Sequence, residues 1–159
     1  MLTASDIMTA PVVSIAPNAL IEHALEQMLQ HDVSGLPVVE NGDRLVGVIS
    51  EFDTLMLLDP RQDESSPVAP VAHFMSTDVL TIDADAPVSE VASVFLRHPV
   101  RRLPVLRDGR LVGIVSRGDM VAIVRDHRRT MDSLPWSDAV APLAGGGATR
   151  ETTSMTPEK

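Results

Sequence analysis

The sequence contains no cysteine and very few aromatic residues. Without cysteine the chain can form no disulfide, no cysteine zinc site and no catalytic thiolate. The aromatic side chains are Phe52, Phe74, Phe95 and Trp136. Four rings are too few for the stacking platform of a single-strand nucleic-acid binder. The sequence therefore disfavours thiol enzymes, cysteine zinc proteins and single-strand binding proteins.

Long apolar runs are also lacking, and the first residues do not have the pattern of a secretory leader. No apolar run reaches the roughly 18 residues that a membrane-spanning helix requires. The chain opens with Met-Leu-Thr-Ala-Ser-Asp, which has no basic segment followed by an apolar one, so a secretory signal is not expected. From these two features we expect no membrane association and a cytoplasmic location.

Basic residues are scarce in the first part of the chain. Residues 1–66 hold 11 acidic and two basic side chains, and this imbalance equals the whole net charge of −9. Residues 67–124 hold six acidic side chains and six arginines. Because an acidic chain repels a phosphate backbone, we expect no nucleic-acid binding. The arginines of the second part can still receive one small anion.

The sequence contains an internal repeat. Residues 6–9, 13–15 and 36–39 match residues 73–76, 80–82 and 103–106 at an offset of 67. After one deletion at Asp43 the offset becomes 66, and residues 44–50 match residues 110–116. The deletion falls in a predicted hairpin turn, where a change of length is tolerated best. Matching blocks in the same order indicate a duplication.

Each repeat is predicted to contain a strand, a helix, a two-stranded hairpin and a second helix, which is an α+β fold class. Apolar residues recur at helical spacing over residues 21–29 and 88–96. These stretches follow the helix-start signals at residues 17–18 and 85–87. Asn41-Gly42 and Asp108-Gly109 are typical of hairpin turns. For Gly47 and Gly113, inside the hairpin strands, we expect tight packing rather than approach of a ligand.

The pattern resembles the CBS domain, present twice. Each repeat has Met with Thr or Ser, a short strand, Leu-Pro-Val, a turn, Leu-Val-Gly, and an Asp three residues after a Ser. The resemblance implies two tandem βαββα units packed about a pseudo-twofold axis, together called a Bateman module. The predicted limits are 2–59 and 71–128 for the two CBS domains, 60–70 for a linker and 129–159 for a disordered tail.

The resemblance also implies a function. Bateman modules commonly bind adenine nucleotides such as AMP, ADP or ATP in clefts between the two domains, and they regulate rather than catalyse. One alternative is a sensor of S-adenosylmethionine or a cyclic dinucleotide. Another is a dimerisation scaffold with vestigial clefts. A sensor would act through an effector protein, which the sequence does not name.

A homodimer is expected as well. The family usually dimerises, and the apolar residues at 55–58 and 121–124 exceed what one core needs. Packing two copies about a twofold axis would bury them.

Ser50 with Asp53, and Ser116 with Asp119, stand where the last strand of each repeat meets the next helix. Helix capping alone explains them, because the Ser side chain accepts an N–H of the first turn and the Asp complements the helix dipole. The alternative is a nucleotide site, since a helix N-terminus binds phosphate and a carboxylate can accept both ribose hydroxyls. In the CBS family the matching Asp holds the ribose and the matching Ser or Thr lies near the phosphate.

Further ligand-binding candidates surround the second pair. Arg101 and Arg102 precede the strand of residues 103–106. The resemblance implies that basic residues here reach phosphates, and Arg117 could add to them, whereas the alternative is two solvated charges. Gly118 leaves room where the first repeat has Phe52. We therefore predict two unequal clefts, at most one of them well suited to a phosphorylated ligand.

The first strands supply the last candidates. By the resemblance, Ser14-Ile15 and Thr81-Ile82 flank the adenine, and an ordinary half-buried strand explains them equally well.

No catalytic residue, cofactor or metal site is predicted. The histidines do not have zinc-site spacing. The main enzyme rival, inosine monophosphate dehydrogenase, needs a catalytic cysteine on a barrel of about 250 residues. This chain has no cysteine and no room for a barrel.

Overall fold

The computed structural model describes residues 1–59, 61 and 68–132, which contain five α-helices and five strands. The helices are α1 (Ala4–Ile7), α2 (Ile21–His31), α3 (Glu51–Leu55), α4 (Val88–Arg97) and α5 (Arg117–Asp132). The strands are β1 (Gly35–Glu40), β2 (Arg44–Ser50), β3 (Ile82–Asp83), β4 (Arg102–Arg107) and β5 (Arg110–Ser116). Two 3₁₀ turns cover Met56–Leu58 and Val71–His73. The α+β class predicted from the sequence is confirmed.

The strands form one sheet in the order β1-β2-β5-β4-β3. The hairpins β1–β2 and β4–β5 are antiparallel, and one pair, Arg44 with Arg110, joins them at the centre. β3 runs parallel to β4. In the first repeat the equivalent of β3 is a single bridge between Ile15 and Val38. The predicted first strand is therefore short in the second repeat and reduced to one bridge in the first.

Both hairpin turns lie where the Asn-Gly and Asp-Gly sequences predict them. Gly42 and Gly109 have φ of +74° and +75°, a backbone conformation that favours glycine. The first turn has one residue more than the second, and that residue, Asp43, has φ of +68°. The single deletion between the repeats therefore lies in a loop and leaves the strand pairing intact.

The apolar side chains of the two repeats form two clusters. The first-repeat cluster contains Ile15, Ile21, Ala24, Met28, Leu36, Val38, Ile49 and Val71. The second-repeat cluster contains Ala4, Ile82, Ala84, Ala86, Val91, Leu103, Val105 and Val115. Val71 comes from the second repeat and Ala4 from the first. Each hairpin is thus covered by its own helix and by the opening segment of the other repeat, which is residues 1–13 in the first repeat and residues 68–80 in the second.

Backbone hydrogen bonds fix each opening segment against the other repeat. The N–H of Ala4 donates to the carbonyl of Ala86 at 2.8 Å, and the N–H of Val71 donates to the carbonyl of Ala19 at 2.8 Å. Thr9 pairs with Ile114, and its equivalent Ser76 pairs with Val48. Residues 1–124 accordingly form one compact unit, although their apolar interior is divided.

Gly47 and Gly113 make room for the exchanged segments. A Cβ on Gly47 would lie 2.8 Å from both the sulfur of Met75 and the carbonyl oxygen of Ser76. A Cβ on Gly113 would lie closer than 3.0 Å to the sulfur of Met8. The expectation of tight packing against the other repeat is confirmed at both positions.

The two long helices of the repeats bury narrower stripes than their sequences suggest. Ile21, Ala24 and Met28 of α2 are buried, as is Val91 of α4. Leu29 and its equivalent Leu96 are 84% and 87% exposed, although both continue the helical apolar pattern. α2 also begins after Leu20, three residues beyond the predicted Pro17-Asn18 signal.

The last helix, α5, continues to Asp132. The first four residues of the segment expected to be a disordered tail, 129–132, are therefore helical. The remainder of that expected tail lies outside the described residues, as does most of the predicted linker. Arg125 begins a second unit, in which Arg125 contacts Asp126 at 2.9 Å. This ion pair lowers the pKa of Asp126 through the hydrogen bond from Arg125.

Candidate functional site

Each Ser-x-x-Asp sequence forms a helix cap. β2 ends at Ser50, whose backbone N–H and hydroxyl both donate to Oδ2 of Asp53, at 2.7 and 2.9 Å. β5 ends at Ser116, whose N–H and hydroxyl donate to Oδ2 of Asp119 at 2.6 and 2.7 Å. Among the described residues no donor reaches Oδ1 of either aspartate. The capping interpretation is confirmed, and one carboxylate oxygen of each cap stays available to a ligand.

A third cap of the same kind opens α1. The backbone N–H of Thr3 donates to Oδ2 of Asp6 at 2.7 Å, and the Thr3 hydroxyl donates to it at 2.9 Å. These hydrogen bonds, the backbone one first, lower the pKa of Asp6. Asp6 lines neither of the two clefts described next, so it serves below as a matched control for the other two caps.

The two other caps each open into a cleft. The Asp53 cleft has a volume of about 450 Å³, and the Asp119 cleft has one of about 280 Å³. The Asp53 cleft is lined by Ser34, Gly35, Leu36, Pro37, Val48, Ser50, Asp53, Ser76, Asp78, Val79, Leu80, Pro99, Val100, Arg101, Arg102, Pro104 and Ile114. The Asp119 cleft is lined by Thr9, Pro11, Val12, Val13, Val33, Gly35, Arg102, Ile114, Ser116 and Asp119. Both volumes are close to or within the range of small-molecule pockets.

Each cleft combines the cap of one repeat with the opening segment of the other. Asp53 faces the space lined by residues 76–80, whereas Asp119 shares its cleft with residues 9–13. The reciprocal exchange of opening segments places them there, because Ser76 pairs with Val48 and Thr9 pairs with Ile114. The opening segments that cover the apolar cluster of the opposite repeat therefore also line its cleft.

Arg101 and Arg102 are divided unequally between the two clefts, a point that the sequence left open. Arg101 lines only the Asp53 cleft, while Arg102 lines both clefts. The reason is the position of β4, which begins at Arg102 between the two clefts, with Arg102 paired opposite Ser116. The cleft that carries the cap of the acidic first repeat thus acquires two arginines of the second repeat.

Six predicted site residues line neither cleft. Arg117 and Gly118 are exposed at the start of α5. Ile15 and Ile82 are buried members of the two apolar clusters. Ser14 and Thr81 precede them in the chain and stay outside the linings as well. The residues just before them, Val13 and Leu80, are the ones that reach the clefts.

Sequence reasoning missed the opening segments as cleft walls. The parts of these segments that line the clefts lie within residues 9–13 and 76–80. A signal was present, because Met8-Thr9 and Met75-Ser76 are among the matched blocks of the repeat. An alignment of two repeats shows which residues are equivalent, but it does not show to which repeat each segment packs.

The linings suit a ligand with a flat apolar part, hydroxyl groups and an anionic end. Apolar side chains such as Val79, Leu80 and Val100 dominate one wall of the Asp53 cleft. Oδ1 of Asp53 can accept a hydroxyl hydrogen. The guanidinium groups of Arg101 and Arg102 are exposed and have no ion pair with any described residue. Arginine in this state offers a planar set of donors to a phosphate.

Among the described residues, no group of three or more metal-ligating side chains is placed to hold an ion. No helix of this part of the chain is both long and apolar enough to cross a membrane.

Comparison with known proteins gives consistent matches. The profile of the CBS domain family matches residues 4–59 and 71–126. Hypoxic response protein 1 of Mycobacterium tuberculosis is 32% identical over 132 residues, which cover 80% of this chain and 88% of that protein.

Solved structures show the same fold. CBSX2 of Arabidopsis thaliana, crystallised in complex with AMP, superposes with a TM-score of 0.71 and 31% identity over 80% of this chain and 98% of that chain. The CBS domain pair of protein MJ0100, in complex with 5′-methylthioadenosine and S-adenosyl-L-methionine, has a TM-score of 0.67 and 26% identity. That match covers 79% of this chain and 98% of the other.

Proposed function

The chain belongs to the CBS-domain family, and on that premise we propose that it is a regulatory module that senses an adenine nucleotide. The ligand is AMP or a relative such as ADP or ATP, bound in the clefts between the two CBS domains. Asp53 and Asp119 supply the ribose end of the sites, and Ser50 and Ser116 lie near the phosphate. Arg101 and Arg102 supply the phosphate end. The protein acts by binding rather than by catalysis.

The observation that carries this proposal is the composition of each cleft. Each cleft combines a cap carboxylate oxygen without a described donor, apolar walls and at least one unpaired arginine, and these groups match the ribose, base and phosphate of a nucleotide. Two structural neighbours bind adenosine compounds, AMP in one and 5′-methylthioadenosine with S-adenosyl-L-methionine in the other. The adenosine portion is what those ligands share, so we assign it to the Asp and apolar groups.

Calorimetry of the whole chain against adenosine, AMP, ATP, S-adenosylmethionine and cyclic di-AMP tests the proposal. We expect AMP or ATP to bind more tightly than adenosine, because only they reach the arginines. Asp119→Ala or Asp53→Ala should weaken adenosine and AMP alike. Asp6→Ala removes an equivalent helix cap outside the clefts and should leave binding unchanged.

Each of the other outcomes points to a different function. Tightest binding of S-adenosylmethionine or cyclic di-AMP would make the module a sensor of that compound instead. Absence of heat and of any melting shift with all five compounds at millimolar concentration would contradict a sensor and favour a dimerisation scaffold. Loss of binding in Asp6→Ala would show that helix capping, and not contact with the ribose, explains the aspartate effects.

We also propose that the protein is a homodimer through α3, the following 3₁₀ turn and the start of α5. Apolar side chains of these segments are exposed in the single chain: Phe52, Leu55, Met56, Leu58, Val121 and Val124. Leu57, which was expected to join them, packs against the first-repeat cluster instead. Burial of this surface against a second copy would remove it from water.

The dimer predicts a change of mass on substitution. Light scattering at micromolar concentration should give twice the mass of the chain for the wild type. Val121→Asp combined with Phe52→Asp should give the mass of a monomer, because each charge would be buried without a partner. Leu29→Asp, on the exposed face of α2, is the control and should stay dimeric. A monomeric wild type, or a monomeric Leu29→Asp with a dimeric double variant, would contradict the proposed interface.

The effector protein and the cytoplasmic location stay predictions. A sensor of this kind must change the binding of a partner when its ligand changes. Affinity capture with and without AMP would identify a partner whose binding depends on the nucleotide.

A further inference from the structure

The two clefts share one wall. Gly35, Arg102 and Ile114 line both of them, so the clefts meet at the start of β1 and β4. If the two repeats were identical, each residue of one repeat at this wall would have its equivalent from the other repeat there, one for each cleft. Gly35 and Arg102 are such a pair by position, since they are 67 residues apart. The wall therefore carries one arginine where an exact duplication would place two.

The backbone keeps this asymmetry in place. A Cβ on Gly35 would lie 2.9 Å from the carbonyl oxygen of Ile49, which belongs to the paired strand and cannot move away easily. Any side chain at residue 35 therefore requires a shift of the hairpin. The second repeat accepts a long side chain at the equivalent place, since Arg102 is exposed there.

The charged residues around the wall are unequally shared. The Asp53 cleft contains Asp53, Asp78, Arg101 and Arg102. In the Asp119 cleft the charged lining residues are Arg102 and Asp119. A phosphate in the Asp119 cleft thus depends on Arg102, while a phosphate in the Asp53 cleft can use both arginines.

We propose that Arg102 is a shared anion contact that makes the two clefts compete for phosphorylated ligands. This inference rests on the proposed function and adds a regulatory property to it. A phosphate that engages Arg102 from one cleft orients the guanidinium toward itself and places negative charge near the other cleft. The second cleft then binds a phosphorylated ligand more weakly, whereas an uncharged nucleoside is not affected. Coupling of this kind is reciprocal between the two sites.

The coupling implies that occupancy depends on ligand charge. Adenosine should fill both clefts independently. AMP should fill one cleft first, and its affinity for the second should then be about tenfold lower than for the same cleft when its neighbour is empty. Over a wide range of AMP concentration, one cleft would therefore be occupied and the other empty.

Methyl NMR spectra of the whole chain can follow each cleft separately. The methyl groups of Val12 and Val13 report on the Asp119 cleft, and those of Val79 and Leu80 report on the Asp53 cleft. AMP is titrated into the wild type and into Arg101→Ala. Arg101 is exposed and lines the Asp53 cleft alone of the two, so its removal weakens phosphate binding there and leaves the Asp119 cleft intact.

If the clefts compete, the Val13 midpoint for AMP moves to a lower concentration in Arg101→Ala, by about three- to tenfold. An unchanged or higher midpoint would overturn the coupling. Adenosine midpoints at Val13 should be the same in both proteins, and a shift there would also contradict a charge-dependent mechanism. If neither adenosine nor AMP moves any of these methyl signals, the proposed function itself fails. If both compounds bind but the Val13 midpoint is the same in the wild type and in Arg101→Ala, the coupling is contradicted while the proposed function stands.

Discussion

Replacement of Arg102 by alanine is expected to weaken AMP binding about ten- to a hundredfold and to leave adenosine binding unchanged. The substitution removes a charge-assisted hydrogen bond to the phosphate, which contributes about 1.5–3 kcal/mol. Since 1.4 kcal/mol corresponds to a factor of ten in affinity, the loss falls in the stated range. No cleft residue other than Arg102 is expected to affect phosphate binding on both sides of the shared wall. Calorimetry with AMP and adenosine measures both effects.

Arg97→Ala is the matched control for this substitution. It removes the same charge from the second repeat at the end of α4, outside both clefts. AMP binding should stay within a factor of two of the wild type in this variant. Binding should also weaken with added salt in the wild type, because screening reduces exposed charge interactions. Equal losses of adenosine and AMP in Arg102→Ala would mean that the phosphate lies elsewhere.

Leu103→Ala is expected to destabilise the protein by about 2–5 kcal/mol, the usual range for truncation of a fully buried leucine. Leu103 is 0% exposed at the centre of the second-repeat cluster. Its equivalent Leu36 is 1% exposed, so Leu36→Ala should lose a similar amount. Either loss is a large part of the 5–15 kcal/mol typical of a whole domain. Urea unfolding followed by circular dichroism measures the changes.

The exchange of opening segments adds a second expectation to these leucine variants. Each should unfold in one transition, because neither cluster is complete without residues from the other repeat. Leu96→Ala is the control, since an 87% exposed side chain should change stability by less than about 0.5 kcal/mol. Two separate transitions in Leu103→Ala, with one repeat still folded, would show that the repeats are independent.

Local features of the fold could be predicted because a few neighbouring residues determine them. Asn41-Gly42 and Asp108-Gly109 predicted the turns, since glycine accepts the positive φ that these turns require. Ser50-x-x-Asp53 predicted a helix cap, because each side chain accepts the backbone N–H of the other residue three positions away. The duplication followed from matched blocks, and it correctly implied two equivalent hairpins.

The arrangement of the clefts could not be predicted in the same way. Residues 1–9 and 68–76 cross to the opposite repeat, and only long-range contacts such as Thr9 with Ile114 show it. Without that crossing, Arg101 and Arg102 would be assigned to the same repeat as Asp119. Helical periodicity likewise assigned Leu29 and Leu96 to a buried face, because a sequence pattern does not show how wide the contact is.

The exchanged opening segments also affect when each repeat can fold during synthesis. During synthesis the first repeat emerges from the ribosome before residues 71–75 do, and the first-repeat cluster then lacks Val71, Phe74 and Met75. One apolar face of the hairpin β1–β2 would stay exposed to water until the second repeat begins to emerge. The second repeat, by contrast, finds residues 4–8 already present when its own hairpin is synthesised. Folding during translation is therefore expected to be delayed for the first half of the chain and prompt for the second.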